Sequence, residues 1–597
     1  MVSSPISVPQ FPASASTHLP KQHAERTPLL AGSVRRNSEA SDRAAEEEDA
    51  AIHGVAPPPA ARSRVREVAL FTWAFLATAA VIVLAVVLQH RNATVPPPNP
   101  PPSTKAAASN GKRNLIFMVS DGMGPASLSL TRSFRQVVEG RDISDTLTLD
   151  RHFWGSSRTR SSNSFVTDSA AGATAFSCGR KSYNTAISML PDFTPCGTVL
   201  EAAKRAGYAT GLVVTTDITD ATPACFASHV YYRQQMDEIA MQEVGEGVLG
   251  RTVDLMLGGG RCHFLPNTTA GSCRLDDIDV TQIAREKHGF VYADDRKGFD
   301  ALKLGKNVSL PLLGLFAPAD VPFEIDRRNM ADVYPSLSEM ALTALTALKD
   351  ATKDSDKGFF LMIEGSRIDH AGHINDPAAQ VREVLEYDKT FKSVLDFIEG
   401  SDTETVLVAT SDHETGGLAL ALQTPGELPV YNWHPSVLAK ANSSSEYLAH
   451  LLVEHITSNA EESAEELREW INQDLVIGRL GIHDALEVEI NALASNPAGA
   501  IHAFAHMVSL RARIGWSTHG HSAVDVNVYS SGGPGTERIR GNVENTDVGK
   551  FLREYLEVDV DEITKELRQK MKGGKPPAMV EGLAAVEGHP KEWMVEA

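Results

Sequence analysis

The sequence predicts an α/β fold: a central, mostly parallel β-sheet flanked by helices on both faces. Three observations carry that prediction. Short continuous apolar runs recur along the chain, each closing on a polar or glycine turn. Helix-like stretches separate them, and buried strands alternating with helices imply a sheet covered on both sides. The composition is ordinary for a globular protein, with 42% hydrophobic and 22% charged residues, which excludes a collagen, a coiled coil or a wholly disordered chain.

The elements follow in chain order. Residues 1–67 are rich in Ser, Pro and Ala, with an acidic run at 46–49 and a proline run at 57–59, and read as a disordered cytosolic tail. Residues 68–88 (VALFTWAFLATAAVIVLAVVL) carry no charge over 21 positions, where about 20 cross a bilayer. They start too far into the chain for an ordinary signal peptide and read as a transmembrane helix. Arg62, Arg64 and Arg66 precede the span and only Arg91 closely follows it. That imbalance sets the N-terminus in the cytosol and the rest of the chain in a lumen, a single-pass type II arrangement. Residues 89–113, with the run PPPNPPP at 96–102, form a stiff linker.

The globular domain is expected over 114–572, followed by a loose tail at 573–597. Strands are expected at 115–119, 209–215, 253–257, 359–363 and 405–409, and helices at 198–206 and 337–349. Helices at 463–470 and 482–493 fill part of the long stretch between His413 and His521. In open α/β sheets ligands gather at the carboxyl ends of the strands. Those ends carry Asp121, Asp217, Glu364, Asp412 and His413.

Lys plus Arg number 56 and Asp plus Glu 76, a net charge of −20. This argues against a nucleic-acid partner, which needs a basic footprint, yet leaves room for a small anionic substrate at a locally positive site. Five cysteines are too few for a disulfide scaffold and show no zinc-ribbon spacing. An oxidising lumen allows Cys262 and Cys273 to pair across a short glycine-containing loop. The sequons at Asn92, Asn267, Asn307 and Asn442 all fall on the lumenal side and are candidate glycosylation sites. In the tail, Glu25, Leu29 and Leu30 match an acidic dileucine signal, read by a vesicle sorting adaptor and leading to a vacuole or lysosome.

Four clusters carry the chemistry: Asp121 in DGMG, Glu364 to His373 in EGSRIDHAGH, Asp412 with His413, and His519 with His521. Carboxylates and imidazoles together are the donor set of Zn²⁺ with a harder ion beside it. Asp369 and His373 are four apart, so one helical turn aims both at one ion. Ser169 begins an Ala-rich helical stretch in TDSAAGATA. It reads either as a helix cap or as a nucleophile at a helix N-terminus, where the dipole favours an alkoxide and a phosphate.

With these residues in view the chain resembles the alkaline phosphatase family, over about 114–556. The motifs are DGMG, TDSAAGATA, DATPA, LGGGR, EGSRIDHAGH, TSDHETGG and HGHSAVDV. With the N-terminal span and the dileucine-like signal it is most similar to the fungal vacuolar branch. The resemblance implies a three-layer sandwich with a crown or insert region, and a homodimer. It implies hydrolysis of phosphate monoesters through a phosphoseryl intermediate on Ser169. Two Zn²⁺ and one Mg²⁺ per subunit are implied: Asp369, His373 and His521 for the first zinc, Asp121, Asp412 and His413 for the second, and Asp121, Asp220, Thr222 and Glu364 for magnesium. Arg233, thirteen residues after Asp220, stands where the family grips phosphate. His370 stands where some relatives have Lys, and Asp220 where animal relatives have His. Alignment onward from Asp525 favours His521 over His519 as the ligand.

Other readings fail on missing motifs. The sulfatase C-x-P-x-R and the P-loop G-x-x-x-x-G-K-[ST] are absent. The G-x-G-x-x-G at 245–250 follows a helical stretch, 236–244, and not a strand. The remaining alternative is a membrane-anchored binding protein on a decayed phosphatase fold.

Overall fold

The computed structural model describes residues 72, 73, 75–79 and 111–571 of the 597-residue chain. The chain divides into two units, Met1–Pro102 and Ser103–Ala597. In the first, residues 72, 73 and 75–79 are helical. The remainder of the expected span 68–88 lies outside the described residues, as do Glu25, Leu29, Leu30, Asn92, most of the linker and the tail at 573–597. Among the described residues no helix is long and apolar enough to cross a membrane.

Among its described residues the second unit has fourteen strands: β1 (Arg113–Val119), β2 (Phe153–Arg158), β3 (Ala209–Asp217), β4 (Leu255–Gly259), β5 (Val291–Ala293), β6 (Leu312–Leu315), β7 (Phe359–Glu364), β8 (Glu404–Thr410), β9 (Glu414–Thr415), β10 (Ala419–Leu420), β11 (Ile514–Gly515), β12 (His521–Ser522), β13 (Val526–Ser530) and β14 (Gly541–Glu544). Ten of them form one sheet in the order β14-β2-β13-β8-β1-β7-β3-β4-β6-β5. Every pairing in it is parallel except the two made by β13.

Nine helices frame the argument: α1 (Pro125–Val138), α2 (Ser169–Cys178), α3 (Ala221–Ala227), α4 (Leu337–Thr352), α5 (Arg367–His373), α6 (Pro377–Glu399), α7 (Ser445–Ser458), α8 (Ala500–Ala512) and α9 (Asn545–Leu556). The central strands are buried throughout, which is why they read as unbroken apolar runs. Alternate side chains serve opposite layers. Leu115, Phe117 and Val119 of β1 join Phe176 of α2, Phe226 of α3 and Leu552 of α9. Ile116 and Met118 join Leu345 of α4 and Phe391 of α6. The result is the expected sandwich of helices, sheet and helices.

The long insert between His413 and His521 is mostly helical, and many of its apolar residues are buried against the sandwich, while Leu428, Tyr431, Leu486 and Val488 stay exposed. Leu448 and Leu452 of α7 and Phe504 of α8 share one cluster with Leu130 of α1 and Val381 of α6. The helix expected at 482–493 begins later and spans Glu487–Ser495. Gly481, at φ +66°, ends the preceding segment. The Ile482 N–H then caps that segment by donating to the Val476 carbonyl, so 482–485 are spent on a helix end and do not start a helix. The run at 245–250 is preceded by helix Met236–Met241 and a π-turn, with no strand before it.

Cys262 and Cys273 form the expected disulfide, and Cys178 pairs with Cys196, a bond the sequence reading had not foreseen. Asn267, Asn307 and Asn442 are exposed.

Candidate metal centre and nucleophile

Parallel register assembles the first part of the site. Val119 of β1 pairs with Thr410 of β8 on one side and with Glu364 of β7 on the other. Two residues beyond that pair stand Asp121 and Asp412. Strand ends from three neighbours therefore deliver Asp121, Glu364, Asp412 and His413 to one edge of the sheet. Gly122, at φ +75°, lets the chain turn sharply against α5; a Cβ there would fall 2.5 Å from the Asp369 Cα.

The second part comes from α5 and from a two-residue ladder. On α5, His373 Nε2 lies 3.2 Å from Asp369 Oδ2. β12 pairs antiparallel with β9, setting His521 opposite Thr415. That pairing carries His521 across the whole helical insert to stack on His413, with ring centres 3.5 Å apart.

Among the described residues, Asp369, His373 and His521 form one group whose metal-ligating atoms lie within 4.8 Å of one another, and Asp121, Asp412 and His413 form another. The residues of these two groups are the ones the family resemblance named as zinc ligands. A third such group, Cys262, His263 and Cys273, offers no thiolates because its cysteines are bonded to each other.

Hydrogen bonds fix which nitrogen of each imidazole is free. His373 Nδ1 donates to the His519 carbonyl at 2.5 Å and His521 Nδ1 to the Thr167 carbonyl at 2.8 Å. Carbonyls only accept, so each Nδ1 carries the proton and each Nε2 presents a lone pair. The two Nε2 atoms face each other at 3.1 Å with Asp369 beside them. Two acceptors and a carboxylate converging on one point call for a cation. His413 Nδ1 donates to the Thr415 hydroxyl at 3.1 Å, and that hydroxyl donates onward to Asp369 Oδ1. His413 Nε2 then faces Asp412 Oδ2 at 3.2 Å, Asp121 Oδ1 at 3.6 Å and the Ser169 hydroxyl at 3.1 Å.

Ser169 is the first residue of α2 and not its cap. Asp168 caps the helix by accepting from the Ala171 N–H at 3.0 Å, which leaves the Ser169 hydroxyl free to face His413. Arg233 donates to Asp220 Oδ1 at 2.9 Å and lies 3.7 Å from Asp168 Oδ2, beside the serine.

Sequence reasoning missed Thr415, although it sits inside the quoted motif TSDHETGG; a threonine there has no charge or ligand character to single it out. Asp217, one of the strand-end acids, stays outside both groups: its N–H donates to Asp320, and its carboxylate lies 3.7 Å from His263. His519 bonds to the His373 carbonyl through Nδ1 and is not a member of the first group. His370 points away from the groups to Asp320, at 3.0 Å.

The family model for alkaline phosphatase matches residues 112–558. The chain belongs to the alkaline phosphatase family. It is 53% identical over 480 residues to the repressible alkaline phosphatase of Saccharomyces cerevisiae, covering 77% of this chain and 84% of that one. Among solved structures it is similar to the Thermus thermophilus alkaline phosphatase, with 28% identity, a TM-score of 0.62, and 79% and 99% of the two chains covered. It also resembles a TAB5 alkaline phosphatase mutant, histidine exchanged for aspartate, with Mg bound in its M3 site; there identity is 26%, the TM-score 0.50 and coverage 75% and 98%. Like its relatives, this alkaline phosphatase is a phosphomonoester hydrolase.

The electrostatics of this alkaline phosphatase site fit bound cations. Asp121 Oδ1, Asp412 Oδ2, Glu364 Oε2 and Thr222 Oγ1 are buried without a hydrogen-bond partner. Such atoms are costly unless something satisfies them. Burial, then the charges of Asp412, Asp369, Glu364 and Asp220, holds the Asp121 carboxyl well above its usual range. Burial likewise pushes Asp412 up to about 7 and Glu364 up to about 8. Burial and then the neighbouring His521 keep His413 well below the usual imidazole range, in the neutral form a ligand needs. Burial opposes charge on His373, while the hydrogen bond and charge of Asp369 raise its pKa: beside the carboxylate the ring favours a proton, which a bound cation would displace.

Proposed function

We propose that this enzyme hydrolyses phosphate monoesters through a phosphoseryl intermediate on Ser169, with two Zn²⁺ and one Mg²⁺ per subunit. The observation that carries the reading is the Ser169 hydroxyl at the head of α2, 3.1 Å from a ring nitrogen of His413 that also faces Asp121 and Asp412. Asp369, His373 and His521 would hold the first zinc, and Asp121, Asp412 and His413 the second. Asp121, Asp220, Thr222 and Glu364 would hold magnesium; all-oxygen donors suit that harder ion. The cations supply Lewis acidity, easing deprotonation of the serine and of the attacking water and stabilising the departing alkoxide.

The chain's own groups do the rest. Arg233, braced by Asp220 and Asp168, offers its planar fork to two phosphate oxygens. The N–H groups at the start of α2 add the positive end of the helix dipole. Ser169 Oγ attacks phosphorus in line, the bond from phosphorus to the ester oxygen breaks, and the alcohol leaves. Water then attacks the phosphoseryl phosphorus, which releases inorganic phosphate and restores the serine. These groups grip the phosphate and ask little of the leaving group, which supports broad monoester specificity.

The setting we propose is the vacuolar membrane, with the 68–88 span as a type II anchor, the catalytic domain lumenal and glycosylated, and a sorting adaptor engaging Glu25, Leu29 and Leu30. The two disulfides are in keeping with an oxidising compartment. The deciding experiment is hydrolysis of p-nitrophenyl phosphate by the full chain, before and after EDTA, with zinc and magnesium returned. Activity that is lost to EDTA, restored by both metals and absent in Ser169→Ala is expected. A folded, metal-loaded protein without activity would move the reading to a binding protein.

A further inference from the structure

We propose that His229 is a positioning residue for Arg233: by tying the segment 229–233 to the turn at 185–188, it holds the guanidinium in one frame with Ser169. The proposal rests on the reading that Arg233 grips the phosphate.

His229 is 4% exposed and lies four residues before Arg233, just past the end of α3. Its Nε2 donates to Glu201 Oε1 at 2.8 Å, and its Nδ1 donates to the Ser188 carbonyl at 3.3 Å. Both partners accept, so both ring nitrogens carry protons and the ring is a buried imidazolium. Burial opposes that charge, but Glu201 outweighs it and raises the pKa of the ring. Glu201 cannot turn aside, because its Oε2 accepts from the Thr198 N–H at 2.9 Å in a capping box on the helix Val199–Arg205. The backbone of His229 is fixed as well. Its N–H donates to Gln242 Oε1 at 2.9 Å, and its carbonyl accepts from Gln242 Nε2 at 3.3 Å.

From this corner the chain runs antiparallel along 183–188. Val230 and Ile187 exchange both backbone hydrogen bonds, at 3.1 and 3.2 Å. The Tyr183 hydroxyl donates to the Tyr231 carbonyl at 3.1 Å, and the Arg233 N–H to the Thr185 carbonyl at 2.8 Å. The facing segment is in turn bound to α2, the helix that Ser169 heads. The Thr185 N–H donates to Asp168 Oδ2 at 2.7 Å, and the Ser188 N–H to the Thr174 hydroxyl at 3.0 Å. An unbroken set of hydrogen bonds therefore runs from the helix of the serine, through 185–188, to the arginine, and His229 anchors its far end.

Asp220 and Asp168 hold the head of the Arg233 side chain. His229 holds the backbone from which that side chain springs. Both ends must be fixed for a planar fork to meet two phosphate oxygens, since a misplacement of about 1 Å can cost about 100-fold in rate.

The test uses the full chain loaded with zinc and magnesium, with p-nitrophenyl phosphate as substrate and inorganic phosphate as competitive inhibitor. His229→Gln keeps one donor for Glu201 and loses the bond to Ser188. Gln242→Ala loosens the same corner from a half-buried position and leaves the buried pair in place. Each is measured alone and on Arg233→Ala. At unchanged metal content, His229→Gln should raise the phosphate inhibition constant and lower kcat/KM about 10-fold, and Gln242→Ala about 3-fold. On Arg233→Ala neither should shift them more than about 2-fold, because the residue they act through is gone. A lower thermal midpoint with an unchanged inhibition constant would mark a purely structural role and overturn the proposal. Equal losses with and without Arg233, or a loss that follows the metal content, would overturn it too. If His229→Gln does not fold, the Gln242→Ala cycle decides. If Arg233→Ala itself leaves phosphate inhibition unchanged, the arginine does not hold phosphate and the underlying reading fails; if it alone raises the constant, only the inference about His229 falls.

Discussion

Thr415 shows how a residue without ligand character governs the chemistry around it. Its hydroxyl accepts from His413 and donates to Asp369, so one side chain sets the tautomer of a candidate ligand of one ion and the orientation of a candidate ligand of the other. Thr415→Val keeps the shape and removes both bonds. Zinc affinity should fall about 10- to 100-fold, the usual effect of losing such an outer partner; equal zinc retention on dialysis would rule the role out. His521→Ala should abolish zinc-dependent turnover, because it removes one of the two facing Nε2 atoms. Glu243 presents a different problem. It is fully buried, both its oxygens lack partners, and burial holds its carboxyl well above the usual range. The folded state keeps this proton at pH values where the unfolded chain has lost it. Stability therefore falls as pH rises from the unfolded pKa, about 4.3, to the raised folded one, and stays lower above it. Glu243→Gln should reduce that decline, adding roughly 1–3 kcal/mol at pH 8 relative to pH 4. Urea midpoints at the two pH values check this, and an undiminished decline would count against it.

At the scale of elements, the site depends on strand register and on one helix start. Strand runs were legible because a sheet covered on both faces needs continuous apolar sequence, and β1, β3, β7 and β8 lie where they were expected to within two residues. The start of α2 was legible only in part. A Ser before an Ala-rich run suggests a cap, but Asp168 takes that role and frees Ser169. Asp168→Ala should cost about 0.5–2 kcal/mol as a lost cap. It should also lower kcat/KM, since Arg233 loses one of its two carboxylate neighbours; a stability loss with unchanged kinetics would confine Asp168 to capping. Gly172, on the same helix, permits close approach to the segment just past β8: a Cβ there would meet the Asp412 Cβ at 2.9 Å. The β12–β9 pairing that delivers His521 was not legible, because two-residue ladders carry no periodicity to read.

For the whole molecule, the buried carboxylates couple folding to metal. Asp121, Glu364, Asp412 and Asp220 crowd one edge of the sheet and repel one another. Ions that bind only the folded state stabilise it by mass action, so EDTA should lower the thermal midpoint as well as the activity. An unchanged midpoint after verified metal removal would show that the fold tolerates the naked cluster. The Cys178–Cys196 bridge ties the end of α2 to a segment eighteen residues on. Replacing both cysteines by alanine should cost about 2–4 kcal/mol, measured by denaturant unfolding.

The sequence by itself determined the class of fold and, through its motifs, the family, and that resemblance named the residues of both groups that the structure brings together. Apolar strands, the acids that close them and an i, i+4 pair on a helix are local patterns, and local patterns survive in one dimension. Tertiary structure alone decided that Thr415 links the two groups, that Asp168 and not Ser169 caps α2, and that three imidazoles from α8 and the β12 approach share one cavity. The first and last depend on contacts between segments distant in the chain, and the cap on which way one side chain turns. Such contacts are set by register and side-chain direction, which no spacing in the sequence records.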